Sequence, residues 1–379
     1  MSERRYIVFC GEHYNPLGII RSLGEAGLKV TAIVKKNKFR LTSKSKYIET
    51  LYLIEDIEEG LKILLDKFGG EILSPIIFTA DDRITELLDK NYNILADKFI
   101  FFNASEANRI KYFMNKDNIN KIAIKHGLNV LPNIVVNNGD IPVGLEYPVI
   151  TKPISSSEGA WKKDMYICNS EAELVKSYEA ILSKKMLLQK YIQKRNELCI
   201  EGMSVAHGKE VFLSIASTYN YLLKNGYSPY MTVNNFNNPS LYTQIKNIIE
   251  EIRFEGIFEV EFLIGEDHKL YFCEINFRNS TWSYASTCAG MNLPFMWSQA
   301  MLTSDMKLVK QKTIPENFYA MVEIDDFINR VANRKISVFK WFKQMICCKC
   351  RYYLGNFDDL MPIVSMITYK LKKILKKGE

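Results

Sequence analysis

The chain has 379 residues, 47% of them apolar and 25% charged, with a formal net charge of +7. That length accommodates two or three separately cored lobes, and the balance is that of an ordinary soluble chain rather than a disordered or fibrous one. No run of about 18 apolar residues occurs, which excludes a membrane-spanning helix, and the modest positive excess fits a basic surface or an anionic substrate, with no recognition motif for nucleic acid.

The N-terminus turns apolar at Tyr6 but meets Gly11, Glu12 and His13 too early for a signal peptide, so a cytoplasmic location is expected. Residues 6–10 read as a short strand, 18–27 as a helix and 28–34 as a second strand. This βαβ pattern implies a parallel sheet covered by helices. Residues 71–79 predict a further strand running into Asp81, Asp82 and a helix over 84–90, and 99–102 another short strand. The first loop lacks G-x-G-x-x-G, which counts against a dinucleotide site. Ligands of such sheets bind at the carboxyl ends of the strands. Glu12, His13, Asn15, Thr79, Asp81 and Asp82 are therefore candidates for contacting a second substrate, with helix capping as the open alternative.

Residues 108–127 predict one helix, containing Lys116. Residues 148–152 read as a strand, 155–159 as a small polar turn and 165–168 as the returning strand. A Ser/Gly loop there can lay backbone N–H groups against phosphate oxygens while Lys152 supplies charge, although an ordinary hairpin has the same composition. A helix over 170–182 leads to MLLQKYI at 186–192, a segment suited to a hinge pairing with an adenine edge, with Glu197 beyond it for ribose hydroxyls. Residues 198–205 and 210–218 form a hairpin across His207-Gly208, and 240–253 read as a helix entered through Asn238-Pro239.

The most informative stretch is 258–281, FEVEFLIGEDHKLYFCEINFRNST. It reads as two alternating strands, 258–264 and 269–275, bearing Glu261 and Glu274. Period-two alternation sends Glu274, Asn276 and Arg278 to one face. Oxygen ligands and a cation sharing one space suit Mg²⁺ and a phosphate better than a core, the alternative being a pair of surface hairpin charges. Trp282, just beyond, is a candidate wall of the pocket. After about residue 302 the pattern changes: 338–351 is cationic and aromatic, and 362–377 sets five lysines among apolar residues. That last stretch predicts a basic amphipathic helix, docked either on its own domain or on an anionic membrane. Of eight cysteines, Cys347, Cys348 and Cys350 cluster without a histidine, short of the four ligands of a structural zinc site.

Taken in order, these pieces resemble the ATP-grasp superfamily over roughly residues 1–300, with Glu261 and Glu274-Ile275-Asn276-Phe277-Arg278 as the most specific part. The first lobe, with PLGIIRSLGEAGLKV and PIIFTADDRITELL, is similar to the carboxylate–amine ligase branch found among cell-wall and surface-polysaccharide enzymes, D-aspartate ligase among them. The resemblance implies an α/β chain of α+β lobes with the ATP-grasp fold. A Rossmann-like lobe would span 1–104 and the ATP-grasp domain 105–302, divided into a nucleotide-gripping lobe at about 130–190 and a metal-binding lobe at about 191–302. A helical basic segment would follow at 303–379. By the same resemblance, Lys116 and Lys152 contact the ATP phosphates, and Ser155, Ser156, Ser157 and Gly159 fold over them. Gln189, Lys190, Tyr191 and Ile192 form the adenine hinge, and Glu197 holds the ribose. Glu261, Glu274 and Asn276 bind Mg²⁺, with Mn²⁺ as the alternative ion, and Arg278 works with Lys152 at the γ-phosphate.

The implied reaction is ADP-forming ligation of a small-molecule carboxylate to an amine through an acyl phosphate. A carboxylase or kinase acting on a small carboxylate is the alternative enzyme, weakened by the absence of a biotin-carrier motif. A nucleotide-binding partner protein without turnover is the alternative of another class, opposed by the intact site residues. Nucleic acid is not expected as a partner; peripheral membrane contact through the basic C-terminus and a homodimer are left open.

Overall fold

Five consecutive buried apolar residues, Tyr6–Cys10, form β1, the central strand of the first lobe in this computed structural model. The structure describes residues 4–154, 164–223, 226–307, 309–355 and 357–375. β1 pairs in parallel with β2 (Val30–Lys35) on one side and β4 (Ile76–Phe78) on the other, and β3 (Ile48–Ile54) lies beyond β2. Helices α1 (Tyr14–Glu25), α2 (Ile57–Ile63) and α3 (Asp82–Lys90) carry the chain back between strands, as parallel pairing requires, and the short α4 (Tyr92–Leu95) follows. The strand order β3-β2-β1-β4 reverses between β1 and β4, and at such a switch point the loops beyond the two strands diverge into a crevice.

β4 is shorter than the predicted 71–79, because Pro75 has no N–H for the ladder and the residues before it lie outside the sheet. The predicted strand at 99–102 contributes a single bridge, Ile100 to Ile76. β3 is not among the predicted strands. As an edge strand it buries only Ile54 fully, so no long apolar run marks it.

The helix expected over 108–127 is two helices, α5 (Arg109–Met114) and α6 (Lys116–Lys125). Asn115 separates them with an extended backbone, its side chain accepting from the N–H of Asp117 (3.0 Å) and Asn118 (3.4 Å) as an N-cap. The break makes Lys116 the first residue of α6 and lets its N–H bond to the Ile154 carbonyl at 2.9 Å. A small antiparallel sheet follows, in the order β5-β8-β6-β7, from β5 (Asn133–Asn137), β6 (Val149–Pro153), β7 (Ile167–Cys168) and β8 (Lys185–Lys190), with α7 (Glu171–Tyr178) between β7 and β8.

The largest element is a seven-stranded sheet in the order β13-β12-β9-β10-β11-β14-β15. It comprises β9 (Lys194–Val205), β10 (Glu210–Tyr219), β11 (Tyr230–Asn235), β12 (Gly256–Gly265), β13 (Leu270–Asn276), β14 (Tyr319–Met321) and β15 (Cys350–Arg351). α8 (Pro239–Ile252) joins the sheet's core through Leu241, Ile245, Ile248, Ile249 and Ile252, one face at helical spacing. α9 (Ser283–Cys288) and α10 (Leu293–Thr303) follow β13. Trp297 of α10 is fully buried, donates to the Ser204 carbonyl at 3.2 Å, and stacks edge-on against Phe78 and Phe102, so one side chain joins the first lobe to the large sheet.

The C-terminal segment is not purely helical. It contains α11 (Glu323–Phe327), α12 (Val338–Cys347) and α13 (Met361–Leu375), but also β14 and β15, which extend the large sheet. Strands of three and two residues are too short to show an alternation. α13 docks on the protein, with Ile363 and Met366 in the apolar cluster that also holds Tyr14 and Leu17 of α1. Arg21 of α1 clamps the same region: it is 1% exposed and donates from Nε to Asp359 Oδ2 at 2.9 Å and from Nη2 to the Asp359 carbonyl at 3.0 Å. Ser45 Oγ and the Lys46 N–H complete the Asp359 carboxylate, at 2.9 and 2.8 Å. Cys348 and Cys350 are buried and Cys347 is exposed. Among the described residues no helix is long and apolar enough to cross a membrane.

Removing one partner of a buried ion pair strands the other charge. Arg21→Met is expected to lower unfolding stability by about 3–5 kcal/mol in urea denaturation, and Arg21→Met with Asp359→Leu to recover most of that. A loss in the single variant no larger than that of a surface substitution would show that the clamp contributes little.

Candidate active site

The antiparallel register builds an acidic row across three strands. β12 sets Glu261 opposite Glu274 and Glu259 opposite Asn276 on β13, while on its other side Glu201 of β9 faces Glu259. Directly opposed residues share a face of the sheet, and alternation adds Glu197, two steps from Cys199, to the same face. The register shifts between Glu261 and Phe262, leaving Cys273 as a bulge residue beside the row, a common way of re-aiming side chains at a site. Neither Glu259 nor Glu201 is among the residues expected from the sequence to form the site. Carrying the alternation one step back from Glu261 finds Glu259, but nothing in the local sequence marks Glu201.

The row is held by a small set of hydrogen bonds. Asn276 Nδ2 donates to Glu259 Oε2 at 2.9 Å and to Glu261 Oε1 at 2.8 Å. Ser283 Oγ donates to Glu201 Oε2 at 2.7 Å, and Ser280 Oγ donates to its other oxygen. Lys116 forms an ion pair with Glu274, and Lys194 with Glu197. Lys152 on β6 donates from Nζ to Gln189 Oε1 at 2.7 Å. Arg278 closes the row: it donates from Nε to Asp82 Oδ1 at 2.5 Å and from Nη2 to Asp82 Oδ2 and Asn276 Oδ1, both at 3.2 Å.

These carboxylates are crowded and largely withdrawn from water. Burial first, and then the Glu201 charge, push the Glu259 carboxyl up to about 8. Burial with Glu259 and Glu274 drives Glu261 well above the usual carboxylate range. Glu274 goes the other way, held down foremost by Lys116 against the cost of burial. Burial lowers the Lys152 ammonium, and Asp82 keeps Arg278 charged against its own burial. The row can thus relieve its repulsion by taking up protons or a cation. Glu261 and Glu274 offer carboxylate oxygens, the donors that Mg²⁺ or Mn²⁺ accepts, whereas Asn276 turns its Nδ2 to the row and its Oδ1 to Arg278, so its carboxamide would have to turn to add a third oxygen.

Arg278 also reaches the crevice of the first lobe. A cavity of about 450 Å³ lies where the loops after β1 and β4 diverge, lined by Glu12, His13, Asn15, Lys35, Asp81 and Arg278 among others. Three of the predicted cleft contacts carry structural duties. Glu12 is buried and accepts from the Leu41 N–H at 2.7 Å and the Ser43 N–H at 3.2 Å, which leaves its carboxylate committed to the 41–43 turn. His13 caps α1 and Asp81 caps α3, where Asp81 also pairs with Arg83. His13 is exposed at the cleft, yet the protein packed around it and then the Arg278 charge lower its imidazole to about 4. Thr79 receives the Asp81 N–H on its Oγ1 at 3.2 Å, and Asn15 accepts from Thr281 at 3.0 Å. Asn279, whose N–H bonds to the Thr79 carbonyl at 3.2 Å, has a buried carboxamide with no hydrogen-bond partner on either atom among the described residues. A buried amide without protein partners is a group that an ordered water can satisfy.

The family model for the carbamoyl-phosphate synthase L chain, ATP binding domain, matches residues 113–310, which takes in both lysines, the small sheet and the whole acidic row. The chain belongs to this family. Its architecture is the ATP-grasp fold. Solved structures agree on the fold. L-amino acid ligase from Bacillus licheniformis superposes with a TM-score of 0.64 at 14% identity, over 84% of this chain and 79% of that one. N5-carboxyaminoimidazole synthetase from Staphylococcus aureus gives 0.62 at 18%, over 88% and 86%. The biotin carboxylase domain of Hydrogenobacter thermophilus 2-oxoglutarate carboxylase, solved with MgADP and bicarbonate, gives 0.64 at 18%, over 84% and 74%. At these identities the likeness is one of fold. Among curated proteins no sequence matches the chain.

Within the ATP-grasp fold, the remaining predicted residues fall as follows. Ser155, Ser156, Ser157 and Gly159 lie outside the described residues. Gln189 is the buried partner of Lys152 on β8. The Lys190 and Tyr191 N–H groups are spent on the Pro132 and Pro148 carbonyls, at 2.8 and 2.9 Å, and the Lys190 ammonium turns outward to Glu146 at 3.4 Å. The backbone N–H of Ile192 has no partner among the described residues. Glu197 sits at the end of the acidic row nearest this hinge, on the strand that follows it.

A crowded, buried carboxyl costs free energy whether it stays ionised or must take up a proton at neutral pH, so replacing one by an amide should stabilise the protein when no cation is supplied. Glu261→Gln is expected to raise the melting temperature in EDTA by a few degrees, on the order of 1 kcal/mol, and to shrink the further rise produced by Mg²⁺ in wild type. An unchanged Mg²⁺ response would place the ion elsewhere.

Proposed function

We propose that the protein is an ATP-dependent carboxylate–amine ligase. The observation that carries this reading is the position of Arg278, which belongs at once to the acidic row and to the cleft of the first lobe. A γ-phosphoryl group over the row and an acceptor in the cleft would meet beside its guanidinium.

A carboxylate resists amine attack because its oxygen is a poor leaving group. In the proposed reaction a carboxylate oxygen attacks the γ-phosphorus, the bond to the β–γ bridging oxygen breaks, and ADP departs with that electron pair. The amine nitrogen then attacks the carbonyl carbon of the acyl phosphate. The carbon–oxygen bond breaks, phosphate leaves, and the amine's surplus proton passes to solvent. Little covalent chemistry falls to the protein; its tasks are placement and charge neutralisation.

The side chains divide these tasks by position. Lys116, at the start of α6, and Lys152, on the floor of the small sheet, would offset phosphate charge. Glu197 would take the ribose hydroxyls and the Ile192 N–H the adenine edge. Glu261, Glu274 and Asn276 would hold Mg²⁺, which when bound would offset phosphate charge. Arg278, aligned by Asp82, would stabilise the charge on the moving phosphoryl group. The cleft beside Lys35 and His13 would receive the carboxylate and amine, and closure of the small sheet over the nucleotide would keep water from the acyl phosphate. By the sequence resemblance, the amine is an amino acid or similar acceptor used in cell-wall or surface-polysaccharide assembly.

The test is release of ADP and phosphate against a panel of amino acids and acidic sugars, with mass spectrometry of the products. An adduct of amide mass formed together with ADP is expected for at least one pair; AMP formation, or ADP without any adduct across the panel, would contradict ligation. Glu274→Gln and Lys152→Ala are each expected to abolish ADP formation while leaving circular dichroism unchanged. Wild-type turnover in either variant would show that the site is misplaced.

A further inference from the structure

In the C-terminal segment α12 presents two apolar faces. Its sequence, VFKWFKQMIC, buries Trp341 and Met345 against the large sheet. On the remaining surface Phe339 is 81% exposed, Val338 60%, Ile346 56% and Phe342 51%. Positions 339, 342 and 346 recur at steps of three and four, so they form one stripe along the helix. Phe327 and Ile328 are also exposed, and the Phe327 ring lies 5.1 Å from that of Trp341, which continues the apolar surface beyond the helix. Exposed apolar residues scattered singly are normal, whereas a contiguous stripe of four marks a surface that something covers.

The charge around the stripe indicates what that is. Lys335, Lys340, Lys343 and Lys349 flank it, and none is paired with a carboxylate among the described residues. From position 330 to the C-terminus the sequence has twelve lysines and arginines against three acidic residues, so this segment is more cationic than the chain as a whole. A second copy of the same face would bring like charges together. An anionic bilayer offers both complements at once, a diffuse negative surface for the ammonium groups and an acyl boundary for the phenyl rings.

We propose that α12 seats the protein on an anionic lipid surface. Val338, Phe339, Phe342 and Ile346 enter the headgroup boundary, and the flanking lysines meet the lipid phosphates. The buried face at Trp341 and Met345 holds the helix on the fold beforehand, so docking needs little ordering of the chain. This surface is independent of the ligase reading, since none of its residues belongs to the nucleotide site.

Flotation of the full-length protein with vesicles tests the proposal. Binding to phosphatidylcholine vesicles containing phosphatidylglycerol is expected, about tenfold or more above binding to phosphatidylcholine alone, and it should weaken as salt is raised. Phe339→Ser with Phe342→Ser, and separately Lys340→Gln with Lys343→Gln, should each cut it about tenfold with melting temperature unchanged. Absence of binding at low salt, or binding indifferent to both double variants, would overturn the proposal. A concentration-dependent dimer in light scattering that the phenylalanine variant dissolves would overturn it as well, by assigning the stripe to a second copy.

Discussion

Five carboxylates confined to one face of a sheet, with little water to screen them, are the constraint around which the molecule is arranged. Like charges at such spacing, withdrawn from solvent, are costly, and the surrounding elements answer that cost piece by piece. Lys116 arrives from the break at Asn115, Arg278 from the end of β13, and the Asn276 amide from within the row. Ser280 and Ser283 serve Glu201 from the turn into α9. Glu261 and Glu259, which receive the Asn276 amide but form no ion pair with a lysine or arginine among the described residues, are left by burial and by their acidic neighbours favouring their neutral forms. A site that waits for a cation and for phosphates that carry their own counter-charge has this electrostatic character.

The link between the lobes follows from the same row. Arg278 cannot stay buried without a partner, and Asp82 at the start of α3 provides it from the first lobe. The Asn279 N–H then bonds to the Thr79 carbonyl, and Trp297 packs on Phe78 and Phe102. These contacts fix the crevice of the parallel sheet beside the acidic row rather than at some other angle. At the far side Arg21 and Asp359 tie the C-terminal segment onto α1, so that β14, β15 and α13 become part of the same body. The acidic row and the cationic surface of α12 thereby belong to one sheet and a helix packed on it, although they are built from different stretches of the chain.

How far the sequence reveals this depends on the range of the interaction. The hairpin of β12 and β13 is legible because alternation is local: Glu261, Glu274, Asn276 and Arg278 are brought to one face by strand geometry alone. The register that adds Glu201 is not, because it comes from pairing with a strand more than fifty residues earlier. Helix ends near strong caps are legible to within a few residues, whereas the single helix expected over 108–127 fails at Asn115, whose capping competes with helix continuation. The roles proposed for Glu12, His13 and Asp81 meet a similar difficulty. Acidic and imidazole side chains at strand ends serve ligands or caps with equal ease, and only the three-dimensional partners show that here they cap helices and brace a turn. The short β14 and β15 carry too few residues for any periodicity at all.

In the proposed reaction the acidic row and Arg278 direct a γ-phosphoryl group onto a carboxylate. The most direct measurement uses a carboxylate substrate labelled with ¹⁸O on both oxygens, with the released phosphate read by mass spectrometry. One labelled oxygen should appear in phosphate for each amide formed, because the carboxylate oxygen that attacks phosphorus leaves with it. Phosphate free of label while amide accumulates would mean that no acyl phosphate forms, and the assignment of the row to phosphoryl transfer onto a carboxylate would fail.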